Sequence, residues 1–266
     1  MYTDDGVADG AWAGAKVKRE SLLIETLVEL ADYLVADYDV IDVLTVLCNR
    51  VVQTLNVDEA GVMLASPGGE LQFIAASSES MKILELFQIQ ADEGPCVDCY
   101  RTGSSIVNHA LAEPDERWPN FTPQALARGF QSVHCLPMRL RGQTIGALNL
   151  FRAHQGPLEV EDVAVAQGLA DMATIAILQH RSSLKSGMVN QQLSYALNSR
   201  IIIEQAKGMI AQSLSCDMDS AFLRLRTHSR NHNEGLTDVA VRVVDGSLAI
   251  SLLDEPKSMD SGRPAP

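Results

Sequence analysis

The chain has 266 residues, 46% of them apolar, enough for one or two domains with sizeable cores. Its net charge of -13 excludes a general nucleic-acid coat protein, and no apolar run approaches the ~20 residues that a transmembrane helix requires. The five cysteines (Cys48, Cys96, Cys99, Cys135 and Cys216) are odd in number and irregular in spacing, which does not suggest a disulfide framework.

The acidic start, Met1 to Gly6, lacks the basic-then-apolar pattern of a signal peptide, so a cytoplasmic chain with no membrane partner is expected. Residues 1–18 are small and polar and are expected to be disordered, with Trp12 the one side chain that could dock. Two amphipathic helices follow. Leu23, Leu27, Leu30 and Leu34 carry the first, and Val40, Val43, Leu44, Leu47 and Val51 the second. The period then changes. Glu59–Ala65 and Leu71–Ala76 read as strands joined by the Ser66-Pro-Gly-Gly69 turn, a hairpin. Met81–Gln90 reads as a helix, broken by Asp92-Glu-Gly-Pro95; Cys96–Arg101 is a short helix, and Ser105–Asn108 a strand. Residues 111–124, with Pro114, Trp118, Pro119, Phe121 and Pro123, form a loop with buried aromatic anchors. Ala125–Arg128 is a short helix ended by Gly129. Gln131–Arg139 and Gln143–Phe151 make a second hairpin, and a long helix opens at Pro157-Leu-Glu159.

Helices and an antiparallel sheet in this order define an α+β fold. The order, together with Glu93-Gly-Pro-Cys-Val-Asp-Cys-Tyr-Arg-Thr-Gly103, the strand entry Gly129-Phe-Gln-Ser-Val133 and Leu140-Arg-Gly-Gln-Thr-Ile-Gly-Ala-Leu-Asn149, resembles a GAF domain, a small-molecule sensory fold. The GAF-like domain is placed at 19–182. The resemblance implies a small-molecule ligand in a pocket between the sheet and the 80–130 excursion, with Phe87, Cys96, Cys99, Tyr100, Trp118, Phe121 and His134 as candidate lining.

Few helix stops intervene between Leu158 and Gln212; Ser182-Ser183 and Ser186-Gly187 are the weak points, so 183–192 is read as a helical linker. Leu193 and Leu197 suit pairing between two copies, though the heptads are too few for a coiled coil. In the next helix Ile202, Ile203, Ala206, Met209 and Ile210 fall on one side, with Arg200, Glu204 and Lys207 on the other. Asp217 caps a second helix, Met218–Asn231, whose apolar face is Met218, Ala221, Phe222 and Leu225. A third, Leu236–Val244, buries Leu236, Val239, Ala240 and Val243, and residues 249–266 are expected to be a disordered tail.

Arg200, Glu-Gln-Ala-Lys-Gly208, Ala221-Phe222, Leu225-Arg226 and Leu236-x-x-Val-Ala240, in that order, resemble an ANTAR domain over 193–248. End to end the chain resembles a GAF–ANTAR transcription antitermination regulator of the actinobacterial type. The resemblance implies binding to paired RNA stem-loops in nascent transcripts, with a homodimer presenting one copy per loop. The segment has six Lys/Arg and six Asp/Glu, so the acidity lies elsewhere and an anionic partner can dock here. Arg200 with Lys207, Arg226 with Arg230, and Arg224 with His228 and Asn231 share faces and are the candidate RNA contacts; cations grip phosphates, and Arg and Asn also read base edges. The plainer reading of the same charges is a solvated helical face. Glu204 is read as orienting its two neighbours.

For Cys96-Val-Asp-Cys99, packing at a pocket wall comes first, a redox switch second and metal third. His134 and Cys135 are adjacent on a strand and point to opposite faces, so they do not ligate together. No phosphate loop, nucleophile elbow or kinase signature occurs, and no catalytic residue or cofactor is assigned. The alternative to an RNA-binding regulator is a redox or metal sensor with a protein-interaction output. Cys96, Cys99 and Cys135 are the only support for a GAF-type enzyme such as a sulfoxide reductase.

Overall fold

A computed structural model describes residues 6–33, 39–66, 68–111, 116–140, 142–179, 189–232 and 234–253. The chain divides into two compact units, Met1–Asn198 and Ser199–Pro266. Among the described residues, no helix is long and apolar enough to cross a membrane.

In the first unit, helices α1 (Gly6–Asp32) and α2 (Val40–Thr54) precede the hairpin of β1 (Glu59–Ala65) and β2 (Leu71–Ala76). Then come α3 (Glu79–Ala91), α4 (Pro95–Thr102), β3 (Ile106–Ala110), α5 (Phe121–Ala127), β4 (Ser132–Leu140), β5 (Gln143–Arg152) and α6 (Val160–Gln179). The five strands form an antiparallel sheet in the order β2-β1-β5-β4-β3. Helices α1, α2 and α6 pack together on one side of it; α3, α4 and α5 pack on the other. Strand alternation decides which side chain meets which layer. Ala147, Asn149 and Phe151 of β5 meet α3, α4 and α5, as do their β4 neighbours Val133 and Cys135.

Two caps start helices where the sequence changes period: the Asp39 side chain accepts from Ile41 N–H at 2.9 Å, and Ser78 from Met81 N–H at 3.2 Å. Helix α1 begins at Gly6, inside the stretch expected to be disordered; Ala8, Ala11, Ala13 and Ala15 supply helix propensity between the glycines. Its inward stripe runs through Leu23, Thr26 and Leu30, while Leu27 turns outward at 44% exposure. Residues 1–5, Leu34 and Pro114, the linker break expected near 183–188, and the tail from 254 lie outside the described residues, as do the Trp12, Leu193 and Leu197 side chains.

The second unit takes in the end of α7 (Val189–Leu214), then α8 (Met218–His232), α9 (Leu236–Val244) and a short 3-10 turn, Ile250–Leu253. Its core is Ile203, Ala206 and Ile210, then Ala221 and Leu225, then Leu236, Val239, Ala240 and Val243. Leu248 and Leu253 are also buried, so ordered packing continues past 249, where the tail was expected to begin; two apolar side chains after Gly246 fold back to cover the helices.

One close approach in the sheet tolerates no side chain. At Gly146 on β5 a Cβ would collide with the Met63 carbonyl and crowd Leu64 on β1. Backbone cannot yield there as a flexible side chain could. Gly146→Ala is expected to destabilise the first unit by about 1–3 kcal/mol, read as a lower urea midpoint at unchanged slope.

Candidate functional site

The Glu93-to-Cys99 segment is a clamp. Gly94 has φ +131°, where L side chains are strained, and Pro95 opens α4 directly after it. Gln88 of α3 lies against Gly94 and accepts from Cys96 N–H at 3.0 Å. The Glu93 carboxylate accepts from the backbone N–H groups of Asn120 and Phe121 and from the Asn120 amide, capping α5 from a distance; Asn120 itself provides no side-chain cap. Asp98 accepts from the Trp118 indole N–H at 2.9 Å. Two carboxylates thus hold the aromatic excursion down, and Trp118 and Phe121 become core.

This splits the expected pocket lining. Trp118 and Phe121 sit in an apolar cluster with Met81, Leu84 and Phe151, and Phe87 packs against it. Cys96 and Cys99 form a second cluster with Met63, Cys135 and Ala147. His134 faces away from Cys135 and is buried. Its Nδ1 accepts from Asn108 N–H at 2.9 Å, and Asn108, at φ +57°, accepts in turn from Leu158 N–H at 2.8 Å. His134 therefore pins the irregular β3–β4 register and lines no ligand site with the cysteines.

One open groove lies elsewhere. A groove of about 550 Å³ is lined by Gly69, Glu70, Leu71, Gln72, Ile89, Asp92, Val97, Tyr100 and Arg101. Of the expected lining only Tyr100 belongs to it. The turn at Gly69 and Glu70, the first residues of β2, the end of α3 and two residues of α4 form the rest, and no single period in the sequence joins these four pieces. Arg101 donates to both oxygens of Asp92 at 2.7 Å across its rim.

Beneath the sheet face lies Glu85, fully buried on the Met81–Leu84–Gln88 stripe of α3. Its carboxyl accepts from Asn149 Nδ2 at 2.8 and 3.0 Å and from Gln88 Nε2 at 3.1 Å, and a Cβ on Gly61 would overlap it. Burial pushes its pKa up to about 8, against the pull of the Asn149 hydrogen bond, so the group is mostly protonated at neutral pH. Among the described residues Asn149 Oδ1 has no hydrogen-bond partner, and the Cys96 thiol lies near the same amide. Burial also raises Cys96 to about 11 and Cys135 well above the ordinary thiol range. Among the described residues no group of three His, Cys, Asp or Glu could hold a metal ion.

In the second unit, Lys207 departs from the sequence reading. It is only 3% exposed. It lies four residues after Ile203 and three before Ile210, which puts it in the middle of the buried stripe. Its ammonium pairs with Glu204 at 3.1 Å and stands over the Phe222 ring at 5.5 Å. Arg200 reaches the same Glu204 oxygen at 2.8 Å. The Arg200–Lys207 face is thus an ion-paired packing surface. His228 joins Ala221, Leu225 and Ser229 on the inner stripe of α8 and stacks on His232 at 4.0 Å between centroids. Burial, then His232, lowers its pKa. Of the expected RNA contacts, Arg230 and Asn231 are exposed, and Arg224 and Arg226 are half-buried. Two exposed stripes escape the sequence reading: Ile201, Gln205, Gly208, Met209 and Gln212 on α7, and Leu223 and Thr227 leading to Arg230 and Asn231 on α8.

The buried acid and the buried base make opposite contributions to stability. Glu85 holds a proton in the folded chain between its ordinary 4.5 and about 8, so stability falls as pH rises through that window. Burial, then Arg152, lowers His134 to about 4 from 6.5, so stability falls as pH drops through that window. The slopes cancel where the windows overlap. From pH 6.5 to 8 Glu85 is the one of the two that still titrates, and stability should decline by about 1.4 kcal/mol per pH unit at first, easing to about half that near pH 8. Urea unfolding across this range should show the decline in the native chain and its loss in Glu85→Gln; an equal slope in both would contradict the assignment.

Comparison with known proteins follows the two units. The GAF domain model matches residues 37–178, and the ANTAR domain model matches 191–244. No curated protein sequence matches the chain. Solved structures resemble the first unit. A methyl-accepting chemotaxis protein fragment, residues 122 to 287, is 17% identical, with 60% of this chain and 99% of that one covered, at TM-score 0.49. The GAF domain of an Acinetobacter phosphoenolpyruvate-protein phosphotransferase is 14% identical, covering 61% and 96%, at TM-score 0.46. The free methionine-R-sulfoxide reductase of Neisseria meningitidis is 17% identical, covering 62% and 92%, at TM-score 0.48. With more than half of its length matched by the GAF model and an ANTAR match after it, the chain belongs to the GAF domain family and has the GAF–ANTAR regulator architecture.

Proposed function

We propose that this regulator binds stem-loop RNA in nascent transcripts through its ANTAR domain and promotes antitermination, under control of a signal received by its GAF domain. The reading rests on the ANTAR match together with the exposed α7 and α8 stripes. Arg230 and Asn231 stand exposed at the end of α8, where one can grip phosphate and the other can read an unstacked base. Gln205 and Gln212 add hydrogen-bonding groups along α7, and at Gly208 no heavy atom lies within 4 Å of a Cβ position, so a backbone can approach closely. A homodimer would present one such face to each of two loops. A small molecule in the groove beside Tyr100 is the natural form of the signal, because Val97 and Arg101 of α4 line it too.

The test separates contact from packing. Titration of a two-hairpin RNA should weaken roughly 3- to 10-fold on Arg230→Ala, with the salt slope reduced by about 1 and stability unchanged within ~0.5 kcal/mol. Lys207→Ala should instead lower stability by about 1–2 kcal/mol; removing the cation takes the partner of Phe222 and one of the two cations on Glu204, and Arg200 on the same oxygen, with Glu204 a quarter exposed, limits the loss. Binding that is indifferent to salt and to Arg230→Ala would overturn the RNA reading.

A further inference from the structure

Three of the five cysteines meet in one place. Cys96 and Cys99 on α4 are both fully buried, and both pack in one cluster with Cys135 on β4. Cys48 and Cys216 stand outside this group. The neighbours of the three thiols are not purely apolar: Asn149 reaches Cys96 and the Glu85 carboxyl, and its own carbonyl oxygen has no partner. A buried amide oxygen left without a hydrogen bond beside three thiols and a carboxylic acid is costly for packing alone. The cluster is also close to solvent. Leu71 and Ile89 line the groove, and the same two residues pack against the cluster that holds the thiols.

We propose that Cys96 and Cys135 form an internal disulfide when the GAF domain meets a hydroperoxide, tying α4 to the sheet. The Cys96 sulfur attacks the outer peroxide oxygen; the O–O bond breaks, the alkoxide leaves with the thiol proton as an alcohol, and a sulfenic acid forms. The Cys135 sulfur then attacks the Cys96 sulfur; the S–O bond breaks and water leaves with the second thiol proton. One hydroperoxide is reduced to an alcohol and water, and two thiols are oxidised to one disulfide. The raised thiol pKa values make the step slow, since the thiolate is the nucleophile. They also make it persistent, because the reduced pair gains nothing from a stabilised thiolate and resists being restored. The device is a latch, slow to close and slow to reopen. Val97, Tyr100 and Arg101 share α4 with Cys96, so closing the latch alters the groove wall.

The inference is independent of RNA binding, and so is its test. The full native chain is exposed to hydrogen peroxide, quenched with an alkylating reagent and mapped by mass spectrometry. The expected result is a Cys96–Cys135 disulfide with Cys48 and Cys99 alkylated only after unfolding. Cys135→Ser should lower the yield of linked Cys96 at least about tenfold, whereas Cys99→Ser, which leaves both partners in place, should retain the link. A native chain whose oxidation stays at Cys216, a Cys96–Cys99 link in place of the expected one, or a link that appears only in denaturant would overturn it.

Discussion

Lys207 brings a cation into the centre of a buried helical stripe, and that position dictates which surface the ANTAR domain can offer. A buried charge must be paired, and Glu204 pairs it while holding Arg200 through the same oxygen. The Phe222 ring takes up the remaining attraction of the ammonium. With its most prominent cation turned inward, α7 shows the opposite side to solvent: Ile201, Gln205, Gly208, Met209 and Gln212. The exposed surface of these two helices is therefore mixed polar and apolar, with its cations toward the end of α8. Such a surface favours recognition of shape and unstacked bases over broad neutralisation of phosphate.

The GAF domain obeys the same constraint by another route. Glu85 has no cation beside it among the described residues; burial keeps it protonated, and Asn149 and Gln88 hold it. Gln88 also accepts from Cys96 N–H, which links the buried acid to the start of α4. Glu93 and Asp98, on either side of that start, hold Phe121 and Trp118. One short segment thus joins the buried acid, the thiols, the aromatic core and the groove wall. A change at α4 reaches each of them without crossing a flexible loop.

The sequence pattern carries some of this and not the rest, for physical reasons. Periodicity places α9 at Leu236–Val244 with its four core residues, because a short amphipathic helix has one face to bury. Alternation correctly separates His134 from Cys135. The Arg200–Lys207 face misleads when residue type is given more weight than position; the spacing of 207 to 203 and 210 already puts it inside. His228 misleads in the same way, since it follows Leu225 by three residues and Ala221 by seven and so falls on their stripe. Glu85 sits on the Met81–Leu84–Gln88 stripe and is open to the same count. The groove is not, since the start of β2 with the turn before it and Asp92 at the end of α3 meet only in three dimensions.

The central claim is that the exposed α7 and α8 stripes meet RNA while the Lys207 side does not. Ultraviolet crosslinking of the full chain to a two-hairpin RNA, followed by peptide mapping, tests it most directly. Crosslinks should fall on peptides carrying Gln205, Met209, Thr227 and Arg230, and compete away with unlabelled hairpin. Crosslinks confined to the GAF domain, or none above those formed with an unstructured RNA of equal length, would contradict the account.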